Sequence, residues 1–295
     1  MTTSRGPLPA DATFGLLHPG AMGTAVGRQL VAGGHEVLWC SRGRSAATLA
    51  RAENAGFLDV ASVSELSRSS DVILSIVPPH AALDVARSVA QTGFGGVYVD
   101  ANAISPARAK EIEAVVRNAG GRFVDGGIVG RPPERPGTTW LHLSGPEAAD
   151  VAARMPSTPM AIHVVSDEVG AASALKVAFA AWTKGSTALR ATVLAYAEAA
   201  GVGESIETQW EQLQPGFWAE GRSRAVSVTA KAWRFEGEMH EIADAFEAER
   251  LPGGFHRAAA EAYRRLAPLR DEDAADEDAA VAAVVAALTN EREDA

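Results

Sequence analysis

The chain of 295 residues contains one cysteine, Cys40. A single thiol excludes an intramolecular disulfide, a cysteine-based zinc site and an iron–sulfur cluster within one chain, and it fits a reducing compartment. Basic residues are also scarce, because 27 Lys and Arg stand against 37 Asp and Glu, for a net charge of −10. Such a charge repels nucleic acid and anionic lipid surfaces. We therefore expect no nucleic acid and no membrane as the main partner, and a small-molecule substrate instead.

Long apolar runs are missing as well. Residues 1–12 have no apolar stretch of the length found in signal peptides, so we expect a flexible tail there. The alanine-rich segment 170–200 carries several charges, among them Lys176 and Lys184, which a membrane-spanning helix would rarely tolerate. The sequence therefore predicts a soluble, cytoplasmic protein.

The residues that are present indicate two domains. Short apolar runs alternate with helical patterns through the first half, which predicts βαβ units and a mostly parallel sheet. The predicted strands are Phe14–Leu17, Glu36–Cys40, Phe57–Ala61, Asp71–Val77, Val97–Ala101, Arg122–Asp125, Thr138–Leu143 and Ala161–Val165. We therefore expect an α/β, Rossmann-like dinucleotide-binding domain over residues 13–166.

The second half has no strand-like run. Residues 167–200 favour one long helix, because they contain no proline and are rich in Ala, Leu, Lys and Glu. Further helices are predicted at about 203–214, 217–233, 236–250 and 254–268, with a last apolar stretch at Ala279–Leu288. An all-α substrate and dimerisation domain over 167–295 follows, whose last stretch packs either on its own chain or on a partner.

A glycine-rich turn follows the first predicted strand. In the segment His18-Pro19-Gly20-Ala21-Met22-Gly23, Gly20 and Gly23 occupy the last two glycine positions of the dinucleotide-binding pattern G-x-G-x-x-G. Gly20 would let the backbone approach a pyrophosphate, and Gly23 would let the helix pack against the strand. His18 stands at the first glycine position, so its imidazole lies either near the phosphates or outside the site.

The end of the second strand bears on the choice between NAD and NADP. An NAD-specific fold has an Asp or Glu about 20 residues beyond the glycines, and Ser41, Arg42 and Arg44 occupy this region instead. A hydroxyl and two guanidinium groups suit a 2′-phosphate. The sequence therefore predicts NADP (NADPH) as the cofactor, with surface charges as the alternative role of the arginines.

The order of these motifs over residues 13–200 resembles the β-hydroxyacid dehydrogenase superfamily, which includes 3-hydroxyisobutyrate dehydrogenase, 6-phosphogluconate dehydrogenase and the imine reductases. The resemblance rests on Gly15…Gly20-Ala-Met22-Gly23, Gly34-His35-Glu-Val, Ser41-Arg42, Asp71…Val77-Pro78, Asp100…Pro106, Phe123-Val-Asp125 and Gly170…Lys176. Other segments, including Asp100-Ala-Asn102 and Trp233 to Met239, look like a little-characterised branch with its own C-terminal helical domain. By this resemblance, Val77, Pro78, Pro79 and Asn102 also belong to the cofactor site.

The superfamily's interdomain helix opens with G-x-G-x-x-x-K-x-x-N, and its lysine is the general acid/base. The resemblance therefore implies this role for Lys176, while Ala172 replaces the second glycine and Phe179 the asparagine. Thr183 shares the helix face of Lys176 and Phe179, and we expect it to take over part of the missing amide's hydrogen bonding. Lys184 is the runner-up base.

The substrate-anchoring segment D-x-P-V-S-G-G of the superfamily corresponds to residues 125–131. Val129 replaces its serine, and Gly130 and Arg131 are left to bind an anion. Asn102 is expected to contact either nicotinamide or substrate. Trp233 and Met239 of the helical domain are candidates for pocket walls, and no spacing typical of metal ligands stands out, so we expect no metal.

These residues predict an NADP-dependent oxidoreductase that moves hydride between the nicotinamide and a small carbonyl/alcohol substrate. An imine/amine pair is the enzymatic alternative. A nucleotide-binding module without catalysis is the alternative from a different class, because three family positions are changed at His18, Val129 and Phe179. We also expect a homodimer, in which the long helix and the C-terminal helices pack against a second subunit.

Overall fold

The structure, a computed structural model, describes residues 6–156, 159–272 and 274–290. Its eight-stranded sheet has the order β3-β2-β1-β4-β5-β6-β7-β8, and neighbouring strands are parallel except for the antiparallel pair β6 and β7. The strands are β1 Phe14–Leu17, β2 Val37–Trp39, β3 Leu58–Asp59, β4 Val72–Ser75, β5 Val97–Asp100, β6 Arg122–Gly130, β7 Thr139–Ser144 and β8 Met160–Ser166. The predicted α/β fold class is confirmed, and each predicted strand coincides with an observed one.

Helices cover both faces of this sheet. They are α1 Ala21–Ala32, α2 Ala46–Asn54, α3 Val63–Ser69, α4 Ala82–Ala90, α5 Pro106–Asn118 and α6 Ala148–Arg154, with a short 3₁₀ helix at Pro79–Ala81. Successive strand residues therefore enter two different cores, because side chains alternate across a sheet. Leu16 and Leu74 belong to one buried cluster, and Leu17 and Ile73 belong to the other.

The chain divides into two compact units, residues 1–177 and 178–295. Helix α7, Ala171–Ala199, begins in the first unit and continues in the second. The remaining helices are α8 Gly203–Leu213, α9 Phe217–Ser227, α10 Thr229–Ala248, α11 Gly254–Leu266 and α12 Glu277–Thr289, with a 3₁₀ helix at Ala267–Asp271. None of the helices in the described ranges combines the length and apolar character needed to cross a bilayer.

One detail of the second unit differs from expectation, and another decides between two alternatives. The break predicted between the helices at 217–233 and 236–250 lies earlier, because α9 ends at Ser227 and α10 runs from Thr229 through Gly237 to Ala248. Neighbouring packing outweighs the weak helix propensity of one glycine. Helix α12 packs on α9 and α11 of its own chain, where Val281 and Val284 are buried. The apolar stretch at the end of the chain is thus covered within the second unit.

Part of the predicted flexible tail is anchored to the first unit. Leu8 is buried, its N–H donates to Asp150 Oδ2 (2.7 Å), and its carbonyl accepts from Arg154 Nη2 (2.6 Å). The expectation of a loose tail is therefore wrong at Leu8, because a buried apolar side chain and two polar contacts fix the backbone there. Residues 1–5 lie outside the described residues.

Two glycines inside helices should respond in opposite directions to replacement by alanine. A Cβ at Gly27 in α1 would overlap the Phe57 ring and lie 3.0 Å from Leu16 Cδ2, whereas a Cβ at Gly237 in α10 would enter open space. We expect Gly27→Ala to lower the free energy of unfolding by about 1–3 kcal/mol through overpacking. Gly237→Ala should raise it by about 0.5–1 kcal/mol through helix propensity.

Urea unfolding followed by circular dichroism measures both changes, and each variant serves as the control for the other. A stabilisation by Gly27→Ala as large as that by Gly237→Ala would contradict the close packing of α1 on the sheet.

Candidate functional site

The carboxyl ends of four parallel strands form one edge of the sheet in the first unit. Strand β1 lies between β2 and β4, so the connections that leave β1 and β4 run to opposite sides. Open α/β sheets bind their ligands at this kind of switch point. The glycine-rich turn, the loop after β2 and the loops after β4 and β5 all lie at this edge.

His18 takes up the backbone conformation of the glycine that it replaces. Its φ is +59°, a left-handed value that few residues other than glycine adopt, and its carbonyl accepts from Gly20 N–H (2.7 Å). The tight turn is therefore built with a histidine in place of the glycine. The imidazole consequently lies at the carboxyl edge, beside the loop after β2.

Both glycines of the motif have room for a Cβ. A Cβ at Gly20 would have no atom of the described chain closer than 4.0 Å, and Gly20 caps α1 without a side-chain hydrogen bond. A Cβ at Gly23 would make only ordinary contacts, the nearest being 3.5 Å from His18 O. The close helix-to-strand packing predicted for Gly23 occurs at Gly27 instead, because Gly27 faces β1 and the Phe57 ring.

The rest of this turn is partly buried. Pro19 is buried, and its carbonyl accepts from Thr24 Oγ1 (3.1 Å). Ala21 is exposed at the start of α1, and Met22 packs against the core. Of these predicted contacts, the backbone around Gly20 and Ala21 is the part accessible to a ligand.

The loop after β2 places its two arginines differently. Arg44 is half-buried and lies 3.2 Å through Nη2 from Nε2 of His18, whereas Arg42 is exposed. Ser41 N–H donates to Asp59 Oδ1 (2.9 Å), which fixes the start of the loop. Burial and, to a smaller extent, the Arg44 charge hold the pKa of His18 at about 4. The imidazole is therefore neutral at neutral pH and can accept from the guanidinium.

Asn102 joins the ends of β4 and β5. Its Oδ1 accepts from Val77 N–H (2.5 Å), and its Nδ2 donates to Asp100 Oδ2 (2.9 Å) and Ser75 Oγ (3.3 Å). The side chain is buried and its amide atoms contact protein, so it holds the loop of Val77, Pro78 and Pro79 in place. A direct contact of Asn102 with a ligand is not needed for this role.

Asp125 at the centre of β6 holds the beginning of α7. Its carboxylate accepts from the N–H groups of Gly170 (3.1 Å) and Ser173 (2.9 Å), from Ser173 Oγ (2.6 Å) and from Ser144 Oγ (3.0 Å). Ser144 Oγ also accepts from Ala172 N–H (2.9 Å). The otherwise unpaired amides of the first turn of α7 are thereby satisfied. Burial nevertheless raises the pKa of Asp125, although these hydrogen bonds lower it.

The carboxyl of Asp100 lies on the neighbouring strand, in register with Asp125. Burial raises its pKa to about 7; the Asp125 charge also raises it, while the hydrogen bonds from Asn102 lower it. Two buried carboxyls therefore lie below the carboxyl edge of the sheet. Both serve to hold backbone in place, one through Asn102 and the other through α7.

Lys176 lies one turn further along α7, directly over β6. Its Nζ donates to the carbonyl of Ile128 (2.5 Å). A Cβ at Gly127 would lie 2.8 Å from Ala172 O and 3.2 Å from Lys176 Cβ. Only glycine at position 127 therefore permits this approach of helix and strand, which fixes the backbone that carries Lys176.

A pair of histidines next to Lys176 was not predicted as part of the site. His142 on β7 is paired in register with Gly127 on β6 and with His163 on β8. The two imidazoles lie 5.5 Å apart between ring centres, and the pKa of His142 is lowered by burial, then by His163 and Lys176. Register between strands decides this cluster, and the sequence pattern contains no signal for it beyond the two histidines.

The predicted anion-binding segment is formed by backbone more than by side chains. Val129 is buried, and Arg131 is exposed. Gly130 has a φ of +115°, and a Cβ there would overlap Thr138 O. Glycine is thus required at the end of β6 for the turn toward β7, so Gly130 has a structural reason independent of any ligand.

Three predicted site residues lie on the part of α7 that belongs to the second unit. Phe179 is about half exposed, and the Thr183 hydroxyl donates to the Phe179 carbonyl (2.9 Å). The hydroxyl proton of Thr183 is therefore used within its own helix and does not replace the missing amide in this conformation. Lys184, the runner-up base, forms an ion pair with Glu238.

The two predicted pocket-wall residues on α10 differ in exposure. Trp233 is half exposed, with the Arg270 guanidinium 4.9 Å from its ring centre. Met239 is fully buried in the core of the second unit. Its expected contact with substrate is therefore wrong for this conformation, because no surface of its side chain is accessible.

Comparison with known proteins agrees with this geometry. Residues 13–156 match a family model described as the NAD binding domain of 6-phosphogluconate dehydrogenase. The first unit is thus similar to that family over most of its length. Residues 197–266 match a second family model, a domain of unknown function named DUF1932. The resemblance to the β-hydroxyacid dehydrogenase superfamily is thereby confirmed, and so is the separate C-terminal helical domain.

Three individual proteins show how far the similarity extends. An uncharacterised 28.5 kDa protein from Methanothermus fervidus is 29% identical over 208 residues, 70% of this chain and 80% of its own. A conserved protein of unknown function, reported to resemble 3-hydroxyacid dehydrogenases, has a TM-score of 0.67 at 28% identity, with coverage of 88% and 100%. The 3-hydroxyisobutyrate dehydrogenase of Mycobacterium tuberculosis, solved with L-serine, has a TM-score of 0.70 at 21% identity, with coverage of 95% and 99%.

The first unit has features that suit a nicotinamide dinucleotide. The space beside Gly20 is open, and the first turn of α1 has no capping side chain that would compete with a pyrophosphate. Arg44 Nε is buried without a hydrogen-bond partner among the described residues. An open backbone cradle and an unsatisfied cationic donor at the carboxyl edge fit the phosphates of the cofactor.

The cap of α7 should contribute more to the free energy of unfolding than an ordinary helix cap. We expect Asp125→Ala to lower the free energy of unfolding by about 3 kcal/mol, because several buried donors lose their acceptor. Ser62→Ala is the matched control, since Ser62 caps α3 through a single bond to Glu65 N–H (3.1 Å), and about 1 kcal/mol is expected there. Urea unfolding measures both, and a loss at Asp125 no larger than that at Ser62 would contradict its central role.

Proposed function

We propose that the protein is an NADP-dependent oxidoreductase that transfers hydride between the nicotinamide and a small carbonyl/alcohol substrate. The observation that carries this proposal is the placement of Lys176 over β6 in a domain of the NAD-binding family. The similarity to 3-hydroxyacid dehydrogenases and to a 3-hydroxyisobutyrate dehydrogenase supports the carbonyl/alcohol chemistry.

The proposed cofactor site extends along the carboxyl edge of the sheet. The backbone of His18 to Gly23 receives the pyrophosphate. The adenosine ribose and its 2′-phosphate bind to Ser41, Arg42 and Arg44. Residues Val77 to Pro79 line the path toward the nicotinamide. Asn102 orients that last loop through its bond to Val77 N–H (2.5 Å). The substrate binds beside Lys176, near Val129, Gly130 and Arg131.

Lys176 supplies the proton chemistry of the proposed reaction. A reduced nicotinamide, when bound, supplies hydride to the carbonyl carbon. The substrate oxygen then gains negative charge and needs a proton, which the Lys176 ammonium donates. The Ile128 carbonyl 2.5 Å from Nζ orients this ammonium, and the first turn of α7 is held by Asp125. In the reverse direction the same amine accepts the proton of the alcohol.

Turnover decides between the proposed reaction and its alternatives. Aldehydes, β-keto acids and cyclic imines should be screened for consumption of NADPH, followed at the absorbance of the reduced nicotinamide. We expect turnover with the carbonyl compounds. Turnover with imines alone would indicate imine reduction, and tight NADPH binding without turnover of any class would indicate a nucleotide-binding module.

Replacement of the general acid should reduce turnover without weakening cofactor binding. We expect Lys176→Ala to lose at least about 100-fold in kcat, because a general acid contributes about 10²–10⁴ in rate, while the Kd for NADPH changes little. Lys231→Ala, an exposed lysine on α10, is the matched control. A Lys176→Ala variant with wild-type turnover would assign the role to another residue.

The residues after β2 predict a preference for the phosphorylated cofactor. We expect the Kd for NADPH to be at least about tenfold lower than that for NADH, since one charge-assisted bond contributes about 1.5–3 kcal/mol. Isothermal titration calorimetry with both cofactors measures the ratio. Equal dissociation constants would be incompatible with a 2′-phosphate site.

We also propose that the protein forms a homodimer. Trp182, Leu189, Val193 and Tyr196 on α7 are exposed and recur at helical spacing, which is typical of an apolar face that packs on another subunit. Light scattering at micromolar concentration should give about twice the chain mass of 30.7 kDa. Trp182→Glu should shift the protein toward the monomer, and a wild-type monomer at this concentration would contradict the prediction.

A further inference from the structure

We propose that His18 is a positioning residue that orients Arg44 to bind the 2′-phosphate of the adenosine ribose. The proposal rests on the proposed function, because it concerns the cofactor site. It assigns a task to the residue at the one position where the glycine motif of this chain is broken.

The conformation of His18 indicates that the histidine has a specific role. A φ of +59° costs a non-glycine residue about 1 kcal/mol, whereas glycine would adopt the same turn without this cost. His18 is one of two described non-glycine residues with a positive φ. A side chain held in place at such a local cost is a candidate for a functional role.

The contact that His18 provides is with Arg44. The distance between Arg44 Nη2 and His18 Nε2 is 3.2 Å. A guanidinium can only donate, so Nε2 must be the acceptor and the imidazole must be neutral. The low pKa of His18, about 4, agrees with this arrangement. His18 thus holds the arginine and leaves its charge intact, whereas a carboxylate would neutralise it.

Arg44 is left with unsatisfied binding capacity. In the described part of the chain, no carboxylate pairs with it, and its Nε is buried without a partner. A buried donor without an acceptor costs about 1–3 kcal/mol, and a partly buried cation attracts an anion strongly. The contact between His18 and Arg44 also joins the ends of β1 and β2, where the adenosine ribose of a dinucleotide lies.

Arg42 lacks these features. It is exposed on the same loop and separated from Arg44 by Gly43, which has a φ of +74°. An exposed arginine loses more side-chain entropy on binding and is screened by salt. Of the two arginines after β2, Arg44 is therefore the principal contact for the 2′-phosphate.

Two small probes separate the 2′-phosphate from the pyrophosphate. Adenosine 2′,5′-bisphosphate carries the 2′-phosphate, while ADP carries only the 5′-pyrophosphate. Isothermal titration calorimetry with the full chain gives the Kd of each, without any requirement for turnover. We expect the wild type to bind the bisphosphate more tightly than ADP.

Variants at positions 18 and 44 test the roles of the two residues. Arg44→Gln should weaken the bisphosphate by roughly tenfold or more and ADP by less than about threefold. His18→Gly removes the acceptor without straining the turn, and we expect it to weaken the bisphosphate by roughly three- to tenfold. His18→Gln should retain most of the affinity, because its Oε1 extends about as far from the backbone as His18 Nε2 and can accept from Arg44.

Two further variants and a melting curve serve as controls. Arg42→Gln should weaken the bisphosphate less than Arg44→Gln, and Arg117→Gln, on α5 far along the chain, should have no effect. Thermal unfolding verifies that each variant folds.

The outcomes distinguish this inference from the proposed function. Unchanged bisphosphate affinity in His18→Gly would overturn the positioning role. A loss in Arg42→Gln equal to that in Arg44→Gln would also overturn it. If the wild type still binds NADPH, the proposed function stands in both cases. Equal losses for ADP and bisphosphate would place the pair at the pyrophosphate and would also overturn it. A wild type that binds neither probe nor NADPH would overturn both.

Discussion

The carboxylate of Asp125 is the constraint on which the candidate site depends. It lies inside the sheet, in a place where a charge is costly, and it is retained there by donors from the first turn of α7 and from β7. A negative charge at the beginning of a helix is favourable for the helix dipole as well. Because α7 can begin only where these donors meet Asp125, the position of Lys176 one turn later is fixed by the cap.

The contact between α7 and β6 also depends on the absence of a side chain. The related pattern places a second glycine on the helix, where this chain has Ala172, and the strand has Gly127 opposite it. The small residue that permits the approach therefore lies on the strand here. Helix and strand can remain close although the sequence motif changes, because the available space limits only the combined volume of the side chains at positions 127 and 172.

At the carboxyl edge of the sheet, local backbone strain is balanced against ligand binding. Glycine at position 18, between β1 and α1, would avoid backbone strain. His18 accepts this strain and provides a neutral acceptor for Arg44. The unsatisfied Nε of Arg44 adds a second local cost in the absence of a ligand. Local costs of this kind are typical of binding sites, where the ligand supplies the compensating contacts.

The sequence by itself determined the fold class, the order of the elements and the resemblance of the first unit to nicotinamide-dependent dehydrogenases. These follow from the periodicity of apolar residues and from short motifs, which depend on neighbours in the chain. The tertiary structure decided that Gly27 and not Gly23 packs α1 on the sheet, that Met239 is core, and that His142 and His163 lie beside Lys176. It also decided that Asn102 and Asp125 hold backbone in place. Each of these results depends on strand register or on contacts between residues far apart in sequence, and a one-dimensional pattern carries no distance between such residues.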